Sequence, residues 1–320
     1  MLIPVLLFLI GLVLLIKGGD WFVDGASGIA HRFRVPELLI GATVVSIGTT
    51  LPEVMVSATS ALSGHGEIAY GNAIGSIICN TALICALTFT IRPTRVDRAS
   101  FRTPVIFFFL AAAVYVLIAC LTGEFSRGAG IALLALFVIY MIITVRQALR
   151  DRAQTPDDAQ AAGDKLWKEL LLLVVGAVAI AIGARLLVDN GTRIAAALGV
   201  PESVIGLTFV ALGTSLPELV TAITSLAKGH GALSLGNIIG ANLFNLVLVS
   251  GAAATLAPFT VPASKTICGM NSSFIVDIPV MLAVMGLLTV PALWRGKLTR
   301  VQGIVLLAIY AAFCFYQFAI

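Results

Sequence analysis

The sequence predicts an all-α polytopic membrane protein of ten transmembrane helices, arranged as two inverted five-helix repeats with helices 2 and 7 broken. Three observations carry that prediction. Of 320 residues, 59% are hydrophobic and 11% charged, with a mean hydropathy of +1.04, a balance that no soluble globule of this size can bury. The stretch VDGASGIAHRFRVPELLIGATVVSIGTTLPE from Val23 returns without a gap as VDNGTRIAAALGVPESVIGLTFVALGTSLPE from Val188. The offset of 165 residues persists through GNAIGSIICNTALI at Gly71 and GNIIGANLFNLVLV at Gly236, so one fold is written twice. Each copy sets one glutamate, Glu53 or Glu218, inside an otherwise apolar stretch.

A helix needs at least about 18 apolar residues to cross the hydrocarbon. Such runs fall near 2–28, 36–62, 67–91, 102–121, 128–147, 166–192, 202–227, 232–257, 273–293 and 301–319. The apolar start, MLIPVLLFLIGLVLLIKGG, lacks a basic n-region and leads straight into the repeat, so it is expected to be a retained first helix. The first five spans form one repeat over 1–147 and the last five the second over 166–320. Between them, 148–165 is a mixed-charge tether too short to fold by itself. An odd number of spans per repeat inserts the second copy upside down, as in many secondary transporters.

Lys and Arg set the orientation. One set of alternate loops holds Arg32 and Arg34; Arg92, Arg95, Arg98 and Arg102; Arg146, Arg150, Arg152, Lys165 and Lys168; Lys228; and Arg295, Lys297 and Arg300. The other holds only Arg127, Arg193 and Lys265. The richer set is expected to face the cytoplasm of a cell (inner) membrane, leaving both termini external and the 148–165 linker cytoplasmic. The net charge of +4 is mostly this bias and makes no case for a nucleic-acid partner. Five cysteines, Cys79, Cys85, Cys120, Cys268 and Cys314, lie mostly within spans without a CxxC and read as small apolar residues.

The polar residues inside the spans carry the chemistry. In helix 2, Thr43, Ser46, Thr50, Glu53, Ser57 and Ser60 recur at steps of three and four and form one stripe. Pro52 sits within that stripe and removes a backbone hydrogen bond to Gly48, so a break is expected there. Freed carbonyls at membrane depth must line a cavity or find other donors. Helix 7 repeats the device with Gly213, Thr214, Ser215, Pro217 and Glu218. Helix 3 offers Asn72, Ser76 and Asn80 at steps of four, with Gly71 and Gly75 to allow close approach; helix 8 offers Asn237, Ala241 and Asn245 with Gly236 and Gly240. The donors are all oxygen, with no His or Cys beside the acids, which suits hard cations such as Ca²⁺ and Na⁺ over Zn²⁺ or Cu⁺. Paired intramembrane acids at repeat-related positions are expensive and point to transport. Elsewhere, Arg185 aligns with Asp20 and is expected to reach the interface, with a cross-repeat ion pair as the other reading. His65 and His230 sit in GHG turns.

On G-T-T-L-P-E…G-N-A-I-G-S-I-I-C-N and G-T-S-L-P-E…G-N-I-I-G-A-N-L-F-N, the chain resembles the two α-repeats of the calcium/cation antiporter superfamily, most of all its prokaryotic sodium/calcium exchanger branch. The resemblance implies a core bundle with helices 2, 3, 7 and 8 around a chain of cation sites, and helices 1 and 6 sliding past it. It implies that Glu53 and Glu218 share Ca²⁺ or Na⁺, that Thr49, Thr50, Thr214 and Ser215 add carbonyl or hydroxyl oxygens, and that the backbone at Ser46 and Ala211 adds carbonyls. Ser76 and Asn80 complete the first half, and Asn245 belongs to the second. Asn245 stands where some relatives have aspartate, which resembles potassium-independent exchangers; Ala241 stands where they have serine and supplies no side-chain oxygen.

Together these readings give an antiporter exchanging Ca²⁺ for Na⁺ by alternating access, with Ca²⁺/H⁺ exchange as the alternative and a cation channel as a remote one. No nucleophile lies beside the acids, so no enzyme is expected. No cofactor is implied; the partners are the bilayer and inorganic cations, and a monomer is expected to suffice.

Overall fold

The computed structural model describes residues 2–153, 166–198, 213–263, 266–267 and 269–319. Among these, nine helices are long and apolar enough to cross a membrane, and the shorter apolar helix Leu216–Ala227 joins them. In chain order they are α1 (Leu2–Phe33), α2 (Glu37–Leu62), α3 (Gly66–Ile91), α4 (Arg98–Thr122), α5 (Arg127–Ala153), α6 (Leu166–Ala197), α7 (Leu216–Ala227), α8 (Gly231–Leu256), α9 (Ser273–Arg295) and α10 (Arg300–Ala319). The expected spans reappear within a few residues at most ends. Residues 154–165 of the linker and the first part of the seventh span lie outside the described residues.

Contacts between chain ends support alternate crossing. A short antiparallel ribbon pairs β1 (Glu124–Phe125) with β2 (Phe259–Thr260), joining the α4–α5 and α8–α9 connections. At the opposite end, Arg95 bridges to Lys297, Arg32 pairs with Glu169 at 2.8 Å, and His230 Nδ1 lies 2.7 Å from Glu37 Oε1. Each contact joins segments that the Arg/Lys distribution put on one face. Two more short strands, β3 (Thr266–Ile267) against β4 (Met270–Asn271), close the α8–α9 connection on itself.

The core lies between α3, α4, α8 and α9, where Tyr70, Phe108, Tyr115, Phe244 and Met281 are buried together. In α8, 89% of the most apolar window is buried, against 22% in α1 and α5, so α8 is the axis of the bundle and α1 and α5 face lipid. Glycine lets α2 lie directly on α8. A Cβ at Gly236 would collide with the Leu38 carbonyl, and one at Gly240 with Ser46 Oγ and the Ala42 backbone. The expected equivalents Gly71 and Gly75 differ: no described atom comes within 4 Å of a Cβ built there. Their repeat-related neighbours, 203–207, lie outside the described residues.

A second glycine seam runs between α1 and α6. Gly11, Gly18 and Gly25 recur every seventh residue along one edge of α1 and meet Gly183, Gly176 and Leu173 in antiparallel order. A Cβ at Gly18 would lie 2.9 Å from the Ile180 amide and from Ala179 Cβ. The two backbones are therefore in contact over several turns, which ties α1 and α6 into one unit. Arg185 is 84% exposed and pairs with Asp189 at 3.7 Å, while Asp20 and Asp24 pair with Lys228 at 3.4 and 2.7 Å. The Arg185–Asp20 pair does not form.

Gly18→Val should lower stability by about 1–3 kcal/mol, the usual cost of overpacking a tight contact. Gly286→Ala, where nothing lies within 4 Å, should leave the detergent melting temperature of the purified protein unchanged.

Candidate cation site

The discontinuity expected at Pro52 is displaced. Ser46–Leu62 is α-helical straight through Pro52, and the irregular turn lies upstream, where Gly41–Val45 is wound as π-helix. Gly41 abuts α8, so the backbone yields where it touches its neighbour instead of at the proline. The wide turn leaves carbonyls in need of donors, and they find them: Tyr140 Oη donates to the Ala42 carbonyl at 2.8 Å, and Ser46 Oγ to the Gly41 carbonyl at 2.8 Å. Two further π segments begin at the repeat-related asparagines, Asn80–Cys85 in α3 and Asn245–Val249 in α8. In α7 the interruption is a turn: Gly213–Ser215 precedes the helix, and Pro217 occupies its first turn, where a missing N–H costs nothing. Glu218 therefore stands at a helix N-terminus, whose dipole favours an anion.

Glu53 and Glu218 are both 0% exposed. Neither carboxyl oxygen of either residue has a hydrogen-bond partner among the described residues. Around them lie more buried oxygens without a partner: Thr50 Oγ1, Ser215 Oγ, Asn80 Oδ1 and Asn245 Oδ1. Asn245 is held by its own Nδ2, which donates to the Ala241 carbonyl at 3.0 Å and leaves Oδ1 free.

Two cross-repeat hydrogen bonds fix the four helices about this point. Thr49 Oγ1 donates to Asn237 Oδ1 at 3.1 Å, and Thr214 Oγ1 donates to Asn72 Oδ1 at 3.3 Å. They are the same bond seen from either half, since 49 maps to 214 and 72 to 237 at the repeat offset. Symmetry then fails. Asn72 Nδ2 donates to Ser57 Oγ at 2.9 Å and to the Glu53 carbonyl at 3.2 Å, whereas Asn237 Nδ2, with Ala222 in the place of Ser57, has no partner among the described residues.

Of the residues singled out in the sequence, Ser46, Thr49, Thr50, Glu53, Ser76, Asn80, Ser215, Glu218 and Asn245 are all buried. Ser46 Oγ also donates to the Asn237 carbonyl at 3.0 Å, so its hydroxyl ties α2 to α8. Thr214 is half-buried, and Ala211 lies outside the described residues. Thr43 turns back to the Leu39 carbonyl at 2.7 Å and takes no part. Sequence reasoning missed Tyr140, whose lone hydroxyl in an apolar span was the available signal. It also missed Thr221 and Ser225, which prolong the Glu218 face as buried hydroxyls without partners.

A small cavity lies between the α1/α6 unit and the bundle, lined by Phe22, Ala177, Ile180 and Ala181 on one side and Gly48, Thr49, Pro52 and Pro217 on the other. The two prolines are repeat equivalents. The arrangement presents two acids and several neutral oxygens, chemistry suited to exchanging hard cations.

A family model described as sodium/calcium exchanger protein matches residues 3–146 and 168–319. An uncharacterized membrane protein of Methanocaldococcus jannaschii is 37% identical over 306 residues, covering 95% of this chain and 94% of that one. The sodium/calcium exchanger MaX1 of Methanosarcina acetivorans is 31% identical over 345 residues, covering 96% of each. Among solved structures, the sodium-calcium exchanger NCX_Mj soaked with 10 mM Na⁺ and zero Ca²⁺ superposes with a TM-score of 0.83 at 34% identity, covering 98% of each chain.

Thr49→Val and Thr214→Val should each destabilise the purified protein by about 1–3 kcal/mol, because each strands a carboxamide oxygen, that of the buried Asn237 or of the half-buried Asn72. Near-equal melting-temperature losses for the two variants would bear out the internal symmetry.

Proposed function

The chain belongs to the sodium/calcium exchanger family and is a membrane antiporter of Ca²⁺ against Na⁺; from that premise we propose that Glu53 and Glu218 are the carboxylates both ions compete for. The observation that carries this is the complete burial of both acids at repeat-related positions with no partner within hydrogen-bond distance of any carboxyl oxygen among the described residues. A buried carboxylate is tolerated when paired with a cation or neutralised. Ca²⁺ takes about six to eight oxygens. The hydroxyls or carbonyls of Thr49, Thr50, Thr214 and Ser215 and the carbonyls of Ser46 and Ala211 supply the rest, with Ser76 and Asn80 on the first-repeat side and Asn245 opposite.

Coupling follows from competition. One Ca²⁺, or at least two monovalent ions, balances the pair, and an empty site leaves two anions at low dielectric, which blocks passage between the inward-open and outward-open states. The moving part is the α1/α6 unit, which the glycine seam obliges to travel as one body past Pro52 and Pro217. Asn245 adds no third acid, so K⁺ is neither carried nor required. Ala241 offers no hydroxyl opposite Ser76, so the second-repeat side holds Na⁺ less well than the first. The protein works as a monomer in the cell (inner) membrane, as repeats 1–147 and 166–320 with the 148–165 linker cytoplasmic and both termini external.

Liposomes containing the purified protein should take up ⁴⁵Ca²⁺ when an outward Na⁺ gradient is imposed, without response to K⁺ at clamped potential. Glu53→Gln and Glu218→Gln should each reduce that uptake to background while the protein remains folded. Uptake driven equally by a proton gradient without Na⁺, or wild-type flux through the double glutamine variant, would overturn the assignment.

A further inference from the structure

Away from the cation site, the ends of α3, α4, α9 and α10 bring basic residues together around a single acid, Asp97. The Val96 amide donates to the Gly296 carbonyl at 3.0 Å and the Leu298 amide to the Thr94 carbonyl at 2.9 Å, with Arg95 directly opposite Lys297. Because the flanking residues make both bonds, Arg95 and Lys297 form a non-hydrogen-bonded antiparallel pair. That is the pair type with the closer side chains, about 4.5 Å between Cα atoms. Like charges placed directly opposite each other destabilise a ribbon. A third cation joins them. Gly296, at φ 67°, has no side chain, and a Cβ there would lie 3.1 Å from Arg98 Nε, so the Arg98 guanidinium packs over the ribbon.

Arg102 follows Arg98 by one helical turn on the same face, and Arg295 and Arg300 flank the ribbon. All six side chains are exposed, and none makes an ion pair with a described acid. The one local carboxylate is committed elsewhere: Asp97 caps α4, accepting from Ser100 Oγ at 2.5 Å and from the Ser100 and Ala99 amides at 3.2 and 3.3 Å. The Ser100 hydroxyl bond holds the Asp97 carboxyl below the usual range, which keeps it ionised and in place. The fold does not demand this charge, since the repeat equivalents of Arg92, Arg95, Arg98 and Arg102 are Ala257, Thr260, Ala263 and Ile267. Trp294, 77% exposed beside Arg295, marks the level of the membrane interface.

We propose that this ribbon is a binding site for the phosphodiester headgroup of an anionic phospholipid, held between Arg95, Arg98 and Lys297. Guanidinium groups clasp phosphate oxygens in pairs, and the anion relieves the repulsion built into the Arg95–Lys297 pair. The ribbon sits at headgroup depth on helices of the core bundle, so the lipid anchors the static part of the transporter.

Native mass spectrometry of the protein from micelles with equal dioleoyl-phosphatidylglycerol and dioleoyl-phosphatidylcholine tests this. The wild type should retain the anionic lipid selectively. Each cation removed should weaken retention about five-fold, so Arg95→Gln/Arg98→Gln/Lys297→Gln should lose on the order of 100-fold, while Arg127→Gln at the opposite end changes nothing. If the triple variant does not fold, Arg98→Gln alone is read for its five-fold loss. Equal retention of both lipids, unchanged retention in the variants, or displacement of the lipid by millimolar inorganic phosphate would overturn the proposal.

Discussion

The fold turns on the burial of two acids. Glu53 and Glu218 lie wholly out of solvent with no described hydrogen-bond partner, and the effective penalty for such an ion is several kcal/mol even after relaxation. Hydroxyl and carboxamide groups on the same helices, several of them without a partner among the described residues, can donate hydrogen bonds to a carboxylate but supply no counter-charge. On the proposed function, a bound cation supplies that counter-charge. The wide turns in α2, α3 and α8, the first-turn placement of Pro217 and the glycine contact of α2 with α8 all lie in the helices that carry these acids, hydroxyls and carboxamides.

Duplication explains how so costly a centre is held in place. The pair Thr49–Asn237 and Thr214–Asn72 lashes each repeat to the other with one bond used twice. Departures from the symmetry are equally informative. Ser57 anchors Asn72, while its equivalent Ala222 leaves Asn237 Nδ2 without a partner. Ser76 is a buried hydroxyl on α3, while its repeat equivalent on α8 is Ala241, with a methyl group. The two repeats are therefore chemically unequal at these positions.

Much of this was legible in the sequence. An acid inside an apolar run and a gapless repeat survive any uncertainty about packing, so the span count, the two glutamates and the polar stripe of α2 were readable from composition and spacing. What was not legible depends on which neighbour a residue meets. Pro52 signalled a break, yet a proline can be absorbed when the adjacent turn widens, and the contact with α8 put that turn at Gly41–Val45. Gly71 and Gly236 are indistinguishable in sequence, but a described backbone presses only on the second. The seven-residue glycine spacing of α1 was visible; its partner α6 was not, because antiparallel register is a tertiary fact. Tyr140 was hidden for the same reason, since its hydroxyl answers a carbonyl freed in another helix.

The α1/α6 unit and the bundle meet at the cavity between Phe22 and the paired prolines, each one residue before an acid in sequence. The central claim is that one buried carboxylate pair serves both ions. Equilibrium ⁴⁵Ca²⁺ binding to the purified, non-transporting protein at rising Na⁺ tests this most directly. The account predicts purely competitive displacement, with apparent affinity falling more steeply than the first power of Na⁺ concentration. Ca²⁺ binding that persists at saturating Na⁺, or that falls to a plateau, would mean separate sites and would contradict it.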